Sequence, residues 1–383
     1  VLYRHELTYV NPTAIALDIT DDMTTDEILQ RIKSVEAFSY NYIGMNLTLD
    51  MIAIRATSNN PQRFAAAVKT YSEQSHFPAI LCSLDPEIIE NGLLTLGKSR
   101  PLIYAATKDN WQEMADLALM YNCPLVVAAP GDLDMLKSLA HTLIEYGVED
   151  LVLDPGTYAN DDLASTVTNF TMLRKAAVRE NDEILGFPLL GIPLIAWLSP
   201  TDAEEVAVWH ETWLASMLIT RFADVLIMHS LDGWAQLPLT ILRNNLYTDP
   251  RKPVAVEPGL RTYGSPDDQS PLFFTTNFAL TYYTVAADIE SGGIDCYLLV
   301  VDSEGNSVES SVAGRKLTAD KITEALNESN VKDIVKHNTL VIPGRAARLS
   351  GEIEEVSGWS VIVGPRDSSG IPKFVKENWP IKK

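Results

Sequence analysis

The sequence has little positive charge, and this shortage excludes two classes of partner. Its 383 residues include 30 Lys and Arg against 51 Asp and Glu, which gives a formal net charge of -21. The phosphates of a nucleic acid and the surface of an anionic membrane would both repel such a chain. We therefore expect neither nucleic acid nor membrane among its partners.

Cysteine is also scarce, and long apolar runs are missing. Cys82, Cys123 and Cys296 are scattered, with no CxxC pair among them. This usage fits a reducing cytoplasm and excludes a disulfide scaffold or a cluster held by this chain alone. No apolar run reaches the roughly 18 residues of a membrane span, and no signal peptide opens the chain. We expect a cytoplasmic protein, and we expect a segment upstream of Val1, which lies in the run-up to a strand.

Eight short apolar runs alternate with helix-like stretches in the first two thirds of the chain. Continuous apolar strands indicate burial on both faces, which is typical of a parallel sheet covered by helices. Eight β/α units predict an α/β fold with a (β/α)8 TIM barrel over residues 1–250, and an open doubly wound sheet is the alternative. The predicted strands are 14–20, 49–57, 78–84, 101–107, 124–130, 150–156, 191–199 and 223–230.

A second α/β pattern follows a stretch rich in proline and glycine. Residues 251–272 carry this turn chemistry and are predicted to form a linker or wrapping segment. Residues 273–383 combine a predicted helix over 273–293 with three later strands and further helices, which predicts a small Rossmann-like α/β domain. The three strands are predicted at 296–302, 339–344 and 359–365.

The predicted barrel offers few candidates for catalysis. Active sites of such barrels lie at the carboxyl ends of the strands, and no cluster of His, Asp and Glu for a metal site is evident there. Lys108 and His229 fit polar residues that are hydrogen-bonded at the rim, whereas Asp154 fits either a catalytic group or the cap of a βα turn. The strand ends place Asp18, Thr57, Ser83, Lys108, Asp154, Ser199 and His229 at this rim.

The strand ends of the second domain share small polar residues. The first strand is followed by "SEGNSVESSVAG", the second by "GRAARLSG" and the third by "RDSSGIP". Ligands of open α/β sheets bind outside the carboxyl ends of the strands, and small side chains let a large ligand approach the backbone. The loops predict either a seat for a large, flat, amide-fringed ligand or ordinary βα turns, which also favour Gly and Ser.

Four phrases from the C-terminal part resemble one known family. They are "EPGLRTYGSPDDQSPLFFTTNFALTYYTVAADIE", "YLLVVDSEGNSV", "LVIPGRAARLSGEIEE" and "VIVGPRDSSGIPKFV". On these phrases the chain is identified as a member of the large (gamma) subunits of the corrinoid iron–sulfur protein. That protein belongs to the acetyl-CoA synthase/carbon monoxide dehydrogenase (acetyl-CoA decarbonylase/synthase) system. The resemblance implies an N-terminal [4Fe–4S] domain, which we expect to be absent from this chain because no cysteine motif is present.

The resemblance also implies a corrinoid, a cobalt-containing cobamide, in the C-terminal domain. Ser310 stands where the family tends to place a threonine near the lower face of cobalt. Glu304 stands where many corrinoid carriers have the histidine of a DxHxxG loop, so no protein ligand to cobalt is expected. The corrinoid-binding residues that the resemblance implies are Thr276, Tyr282, Ser307, Val308, Glu309, Ser310, Ser311, Ala313, Gly344, Leu349, Ser350, Gly364, Pro365 and Gly370.

The function that the resemblance implies is methyl transfer in the reductive acetyl-CoA pathway. A methyltransferase moves a methyl group from methyltetrahydrofolate or a methyltetrahydropterin to cobalt in the +1 state, and the carrier delivers it to the nickel site of acetyl-CoA synthase. The implied partners are the small (delta) subunit, this methyltransferase and acetyl-CoA synthase/carbon monoxide dehydrogenase. One alternative is a barrel methyltransferase in which Asp154 or another rim residue binds methyl-pterin directly, and another is a noncatalytic assembly protein.

Overall fold

The computed structural model describes residues 12–159, 162–198, 203–247 and 254–379. The chain divides into two compact units, Val1–Tyr247 and Thr248–Lys383. Each unit has its own main sheet and its own hydrophobic core. Within the described ranges, no helix is long and apolar enough to cross a membrane.

The described residues of the first unit form ten strands, and eight of these strands make up one parallel sheet. The strands are β1 (Ala14–Thr20), β2 (Ser39–Tyr42), β3 (Met45–Thr48), β4 (Met51–Arg55), β5 (Ala79–Cys82), β6 (Leu102–Ala106), β7 (Leu125–Ala128), β8 (Leu151–Asp154), β9 (Leu190–Gly191) and β10 (Val225–Met228). The sheet order is β8-β7-β6-β5-β4-β1-β10-β9, and a parallel bridge between Leu153 and Leu189 joins its two ends. The predicted eight-stranded barrel is therefore confirmed, and the doubly wound alternative for this unit is wrong.

Helices cover the outside of the barrel. They are α1 (Thr25–Ala37), α2 (Pro61–Gln74), α3 (Pro86–Leu96), α4 (Trp111–Tyr121), α5 (Leu133–Tyr146), α6 (Leu163–Arg179), α7 (Glu204–Thr220) and α8 (Gly233–Tyr247). Local sequence starts several of them: Thr24 and Glu27 form a reciprocal capping box at α1, and Asn60 caps α2 ahead of a proline.

Alternate strand residues supply two separate apolar clusters. Leu17, Ile54 and Met228 belong to the large cluster that packs under the helices, whereas Ala16 and Ile227 belong to a smaller cluster drawn mainly from the other strand faces. Successive side chains of a strand point to opposite faces, so the smaller cluster fills the barrel interior. The same alternation carries polar residues at the strand ends into the barrel mouth.

Two details of the first unit differ from the prediction. The strand predicted over 191–199 ends at Gly191 and continues as a 3-10 helix, Pro193–Leu198, because proline cannot donate to the ladder. The predicted rim residue Ser199 lies outside the described residues. The hairpin of β2 and β3 was not predicted because its side chains are mostly exposed and polar.

The second unit is a five-stranded sheet with helices on both faces. Its strands are β11 (Gly259–Tyr263), β12 (Leu272–Thr276), β13 (Cys296–Val301), β14 (Thr339–Ile342) and β15 (Ser360–Val363), in the order β11-β13-β12-β14-β15. Its helices are α9 (Ala279–Ser291), α10 (Val308–Ala313), α11 (Ala319–Glu328), α12 (Val331–Ile334), α13 (Ser350–Ser357) and α14 (Ile371–Asn378). β11 is antiparallel and the other four strands are parallel. The finer description of this unit as Rossmann-like stays a prediction.

The second unit corrects two sequence assignments. The helix predicted over 273–293 begins only at Ala279, because the preceding apolar run is buried on both faces as β12. The segment 251–272, predicted as a linker or wrapping segment, supplies the edge strand β11, which pairs with β13. The proline and glycine residues of this segment favour a loop, but edge strands tolerate such residues close to their ends. The short strand was therefore not recognised from the sequence.

Candidate functional site

A cavity of about 360 Å³ lies in the second unit at the carboxyl ends of its parallel strands. Within the sheet, β13 lies on one side of β12, whereas β14 and β15 lie on its other side. The crevice between β12 and β14 is therefore the point where the strand order reverses. Ligands of open parallel sheets bind at this point, so the topology alone selects the cavity as the candidate site.

The walls of the cavity are mostly apolar. β12 contributes Phe273 and Phe274, α9 and the residue before it contribute Phe278 and Val285, and α14 contributes Ile371. The end of β14, the loop after β15 and the start of α10 also contribute, with Val341, Ile342, Pro343, Gly364, Pro365, Ser307, Val308 and Glu309. Such a lining suits an apolar ring, with polar groups placed at the rim to orient it.

Thr275 is a buried polar residue of this lining, which also includes Thr281, Thr284 and Ser368. Its side chain lines the cavity and is 1% exposed, and its hydroxyl has no hydrogen-bond partner among the described residues. The neighbouring Thr276 hydroxyl is likewise buried and unpartnered, but Thr276 does not line the cavity. Buried hydroxyls are nearly always paired, so the unpaired Thr275 hydroxyl indicates a place where a ligand can supply the missing partner.

Asn277 fixes the loop that follows β13. Its Oδ1 accepts hydrogen bonds from the backbone N–H of Ser303 at 3.0 Å, from the Ser303 hydroxyl at 2.9 Å and from Gly305 N–H at 3.0 Å. Its Nδ2 donates to Asp302 Oδ1 at 2.9 Å. Sequence analysis did not single out Asn277, although an asparagine placed between a buried strand and a helix is a signal of such a role.

Five of the residues predicted to bind a corrinoid line the cavity: Ser307, Val308, Glu309, Gly364 and Pro365. Ser307 also caps α10, with its hydroxyl accepting from the Ser310 N–H. The strand-end loops thus bring these five residues to one cavity. Whether they contact a corrinoid stays a prediction.

The other predicted contacts lie away from the cavity lining. Tyr282 is a partly buried residue of α9 that packs against an apolar cluster of the second unit, and its hydroxyl accepts from the Tyr263 hydroxyl at 3.0 Å. Ser311 is buried and donates to the Asn306 carbonyl at 3.1 Å, whereas Ser310 and Ala313 are exposed on α10. The remaining residues outside the lining are Thr276, Gly344, Leu349, Ser350 and Gly370.

The glycines of the later loops are explained by packing between these loops. A Cβ on Gly344 would lie 2.9 Å from the backbone N of Arg366 and 2.9 Å from the carbonyl of Gly364. The Gly344 N–H donates to the Pro365 carbonyl at 2.9 Å, and the Gly364 N–H donates to the Ile342 carbonyl at 2.8 Å. Close approach of the two backbones therefore requires glycine whether or not a ligand binds.

The barrel mouth of the first unit contains a separate charged network. Asp18 is fully buried and its carboxylate accepts from Arg31 at 2.9 Å and from Arg55 at 2.6 Å. His229 Nδ1 lies 2.7 Å from the same carboxylate. Burial acts to raise the pKa of Asp18, but the hydrogen bond and charge of His229 together with the arginines lower it overall. His229 thus contacts Asp18 at the rim. Arg31 and Arg55 belong to the same network, and the sequence analysis did not identify them.

Asp154 occupies the opposite side of the barrel mouth. It accepts hydrogen bonds from the Tyr104 hydroxyl at 2.9 Å and from the Gly156 N–H at 2.9 Å. Complete burial raises its pKa to about 6. The bond to Gly156 is the turn role that the sequence allowed, whereas the raised pKa is typical of a functional group, so both interpretations of Asp154 stand.

Other predicted rim residues have simpler surroundings. Thr57 donates its hydroxyl to Asp21 at 2.9 Å, which ties the loop after β4 to the loop after β1. Ser83 lies with Arg55 and Tyr104 around a hollow at the carboxyl ends of β4 to β6. Within the described residues, no group of three or more His, Cys, Asp or Glu side chains is placed to hold a metal ion.

Comparison with known proteins gives one family and a set of close relatives. The family model described as CO dehydrogenase/acetyl-CoA synthase delta subunit matches residues 1–375. The acetyl-CoA decarbonylase/synthase complex subunit gamma 2 of Methanosarcina thermophila is 48% identical over 385 residues, which span 100% of this chain and 82% of that protein. The subunit gamma of Methanothermobacter thermautotrophicus is 44% identical over 375 residues, which span 98% of this chain and 81% of that protein.

Two solved structures are similar to part of the chain. A dihydropteroate synthase from Xanthomonas albilineans in complex with 7,8-dihydropteroate is 14% identical with a TM-score of 0.46, covering 63% of this chain and 95% of that chain. A dihydropteroate synthase from Thermus thermophilus is 17% identical with a TM-score of 0.43, covering 62% of this chain and 96% of that chain.

The family model corrects the assignment made from the sequence phrases. Those phrases assigned the chain to the large (gamma) subunits of the corrinoid iron–sulfur protein and treated the delta subunit as a separate partner. The model that matches residues 1–375 is described as a delta subunit, although the relatives carry the name gamma. The quoted phrases come from the C-terminal third alone, and they do not distinguish the two subunit names.

Proposed function

The chain belongs to the CO dehydrogenase/acetyl-CoA synthase delta subunit family, and from this membership we propose that it is a corrinoid-dependent methyl carrier. Relatives that are 38% to 48% identical are named as subunits of the acetyl-CoA decarbonylase/synthase complex, which supports a place for this chain in such a complex. The observation that carries the cofactor is the apolar cavity of the second unit, which lies where the strand order reverses and contains the unpaired Thr275 hydroxyl.

The residues around the cavity fit a corrinoid. A corrin with its amide side chains is much larger than the cavity, so only part of the ligand enters it and the rest lies across the strand-end loops. Ser307, Val308 and Glu309 would contact it from the α10 side, and Gly364 and Pro365 from the β15 side. Hydroxyls and backbone amides at these loops can bind the amide groups, while the phenylalanines of β12 pack against an apolar ring.

The side chains that line the cavity in the described part of the chain would leave cobalt without a nitrogen or sulfur ligand from the protein. When bound, the corrinoid supplies a cobalt centre that accepts and releases a methyl group, and the protein supplies binding and orientation. Neither histidine nor cysteine is among the side chains that line the cavity in the described part of the chain. Ser310, whose hydroxyl accepts from the Ser307 hydroxyl at 3.2 Å, offers a neutral group beside the loop. The absence of a protein ligand to cobalt remains a prediction.

The proposed partners are the proteins that give and receive the methyl group. These are a methyltransferase that uses methyltetrahydrofolate or a methyltetrahydropterin, and acetyl-CoA synthase/carbon monoxide dehydrogenase. A further, smaller subunit would cover the open side of the corrinoid. The exposed side chains of Leu280, which lines the cavity, and of Val363 at the end of β15 support such a cover, because apolar groups at a cavity rim favour burial.

Reconstitution with a corrinoid tests the proposed function. The purified chain is mixed with hydroxocobalamin, separated from free cofactor by gel filtration, and its visible spectrum is recorded before and after reduction at low potential. We expect a stoichiometric corrinoid spectrum that changes on reduction. A chain that elutes without corrinoid absorbance would favour the noncatalytic assembly protein instead.

The second candidate is a barrel methyltransferase, and the buried Asp154 favours it. A carboxylate with a pKa of about 6 at a barrel mouth is poised to exchange a proton with a bound heterocycle near neutral pH. The discriminating assay gives the purified chain methyltetrahydropterin and free cob(I)alamin without partner subunits. Methylation of the free cobalamin that is lost in Asp154→Asn would establish this candidate, and no methylation would leave the carrier function.

A further inference from the structure

Two arginines stand at the mouth of the cavity in the second unit. Arg345 follows β14 and Arg366 follows β15, and both line the cavity. Both side chains are exposed to solvent in part or in full. In a chain with a formal net charge of -21, two arginines at the mouth of a largely apolar cavity form a local exception that requires a reason.

Arg345 links the three loops that surround the cavity. Its guanidinium pairs with the carboxylate of Glu309 on α10, and its Nε donates to the carbonyl of Arg366 at 3.3 Å. The side chains of the ion pair are 48% and 68% exposed. Exposed ion pairs of this kind contribute little stability, so an incoming anion can replace Glu309 at low cost.

Two arginines and two carboxylates, Glu309 and Asp367, line the mouth of the cavity, and their side chains differ in the partners they contact. The guanidinium of Arg366 has neither a hydrogen bond nor an ion pair with any residue in the described ranges. The neighbouring Asp367 is occupied, since its carboxylate accepts from the Ser369 N–H at 3.1 Å and from the Ser369 hydroxyl at 2.7 Å. The hydrogen bonds from Ser369 and, to a smaller extent, the charge of Arg345 lower the pKa of Asp367. Arg345 therefore acts on both carboxylates, whereas the Arg366 guanidinium is left to bind an anion.

We propose that Arg345 and Arg366 bind the phosphodiester of a cobamide's nucleotide tail, and that Glu309 holds Arg345 in place until that phosphate displaces it. This inference rests on the proposed function, because a cobamide carries neutral amides on its corrin and a single phosphate in its tail. Guanidinium groups bind phosphate oxygens in pairs of parallel hydrogen bonds. The apolar part of the cavity that these arginines line then accommodates the base at the end of the tail.

If phosphate displaces Glu309 from Arg345, substitutions of these two residues should change the affinity for cobamide in opposite directions. Arg345→Gln and Arg366→Gln each remove a charge-assisted hydrogen bond to phosphate, which weakens cobamide binding by about tenfold. Glu309→Gln removes the competing carboxylate and its repulsion of phosphate, so it tightens binding by about threefold. If Glu309 merely supported the loop, its substitution would weaken binding.

The test is an equilibrium titration of the purified full chain, followed by its tryptophan fluorescence. Hydroxocobalamin is compared with cobinamide, which has the same corrin but lacks the nucleotide tail and its phosphate. We expect the arginine and glutamate variants to change the affinity for hydroxocobalamin alone. Inorganic phosphate added as a competitor should weaken the binding of hydroxocobalamin and not that of cobinamide. Arg315→Gln is the matched control, since Arg315 is exposed in the same unit and does not line the cavity.

The outcomes separate this inference from the function on which it rests. A wild-type chain that binds neither corrinoid overturns the proposed function, and the phosphate site with it. A chain that binds both corrinoids, and whose arginine variants leave the hydroxocobalamin affinity unchanged, overturns the phosphate site alone. Equal weakening of both corrinoids in Arg345→Gln would also overturn it, because that result indicates a structural role.

Discussion

Asn277 and Ser303 are joined by two hydrogen bonds, both accepted by the Asn277 Oδ1, at 3.0 Å from the Ser303 backbone N–H and at 2.9 Å from its hydroxyl. The two residues are 26 positions apart in the chain, at the ends of adjacent parallel strands. The end of β12 therefore sets the path of the loop that leads to α10. The residues that line one side of the cavity depend on this one side chain.

Asn277→Ala should destabilise the second unit. The substitution leaves two buried backbone donors, the N–H groups of Ser303 and Gly305, without their acceptor, whereas the Ser303 hydroxyl keeps the Asn306 carbonyl at 2.7 Å. We expect a loss of about 3 kcal/mol in the free energy of unfolding. Urea unfolding followed by circular dichroism measures it. Asn378→Ala is the matched control, because Asn378 is exposed at the end of α14 and its removal should cost less than about 0.5 kcal/mol. Equal effects of both variants would contradict the role of Asn277.

Thr275→Val should weaken corrinoid binding and leave stability unchanged or slightly higher. Valine has nearly the same shape, and the hydroxyl that it removes has no partner within the described residues. We expect a loss of affinity of about fivefold in a hydroxocobalamin titration. Thr276→Val is the matched control, since the adjacent buried hydroxyl does not line the cavity. A larger effect at Thr276 than at Thr275 would show that the ligand lies elsewhere.

Asp154→Asn should change stability in a way that depends on pH. Burial raises the folded-state pKa of Asp154 from 3.8 to about 6, so the folded state favours the protonated form. The wild type therefore loses stability as pH rises from about 4 through 6, by up to about 3 kcal/mol, whereas the amide variant does not titrate. Thermal unfolding of both proteins from pH 4 to 7.5 measures the difference. Asp116→Asn, which removes an exposed carboxylate bonded to the Tyr146 hydroxyl, is the control, and an identical pH profile for Asp154→Asn and wild type would refute the prediction.

Asp18→Asn should show the opposite dependence on pH. The pKa of Asp18 is lowered in the folded state, so its ion pairs with Arg31 and Arg55 stabilise the barrel fully above the unfolded-state pKa. We expect the variant to be about 3 to 5 kcal/mol less stable than the wild type near pH 7, because it leaves buried charges unpaired. The difference should shrink as pH falls below about 4, where the wild-type carboxylate is protonated in the unfolded chain. A constant difference across this range would contradict the ion-pair account.

Gly344→Ala should destabilise the contact between the loops after β14 and β15. The added Cβ would lie 2.9 Å from two backbone atoms, which must move apart, and we expect a cost of about 2 kcal/mol. Gly351→Ala is the control, because a Cβ there meets no atom within 4 Å and helix α13 should gain about 0.5 kcal/mol from alanine. Chemical denaturation of the two variants should therefore give shifts of opposite sign, and two shifts of the same sign would count against the packing explanation.

The barrel could be predicted from the sequence because its information is local. Each buried strand, such as Leu125–Ala128, is a continuous apolar run between turn residues, and eight such runs followed by helices specify the fold. β12 could not be recognised in this way, because Phe273 to Thr276 also fit the apolar spacing of the helix that follows. The edge strand β11 was missed because pairing with β13, and not its own composition, makes it a strand.

Only the location of the candidate site could be predicted from the sequence. The loops after parallel strands meet at one edge of a sheet, and this rule brought Ser307 and Gly364 to the same cavity. Asn277, Thr275 and Arg345 act through contacts with residues that are distant in sequence, such as the pair of Arg345 with Glu309 across 36 positions. Composition and spacing do not encode such contacts, so they required the folded chain.

Anomalous diffraction at the cobalt absorption edge, on crystals of the full chain grown with hydroxocobalamin, tests the central claim most directly. The account predicts one cobalt peak in the second unit, outside the carboxyl ends of β12 and β14 and beside Ser307 to Ser310 at the start of α10. It also predicts that no side-chain nitrogen or sulfur of this chain coordinates the metal. A peak at the barrel mouth beside Asp154, or a histidine bound to cobalt, would contradict it.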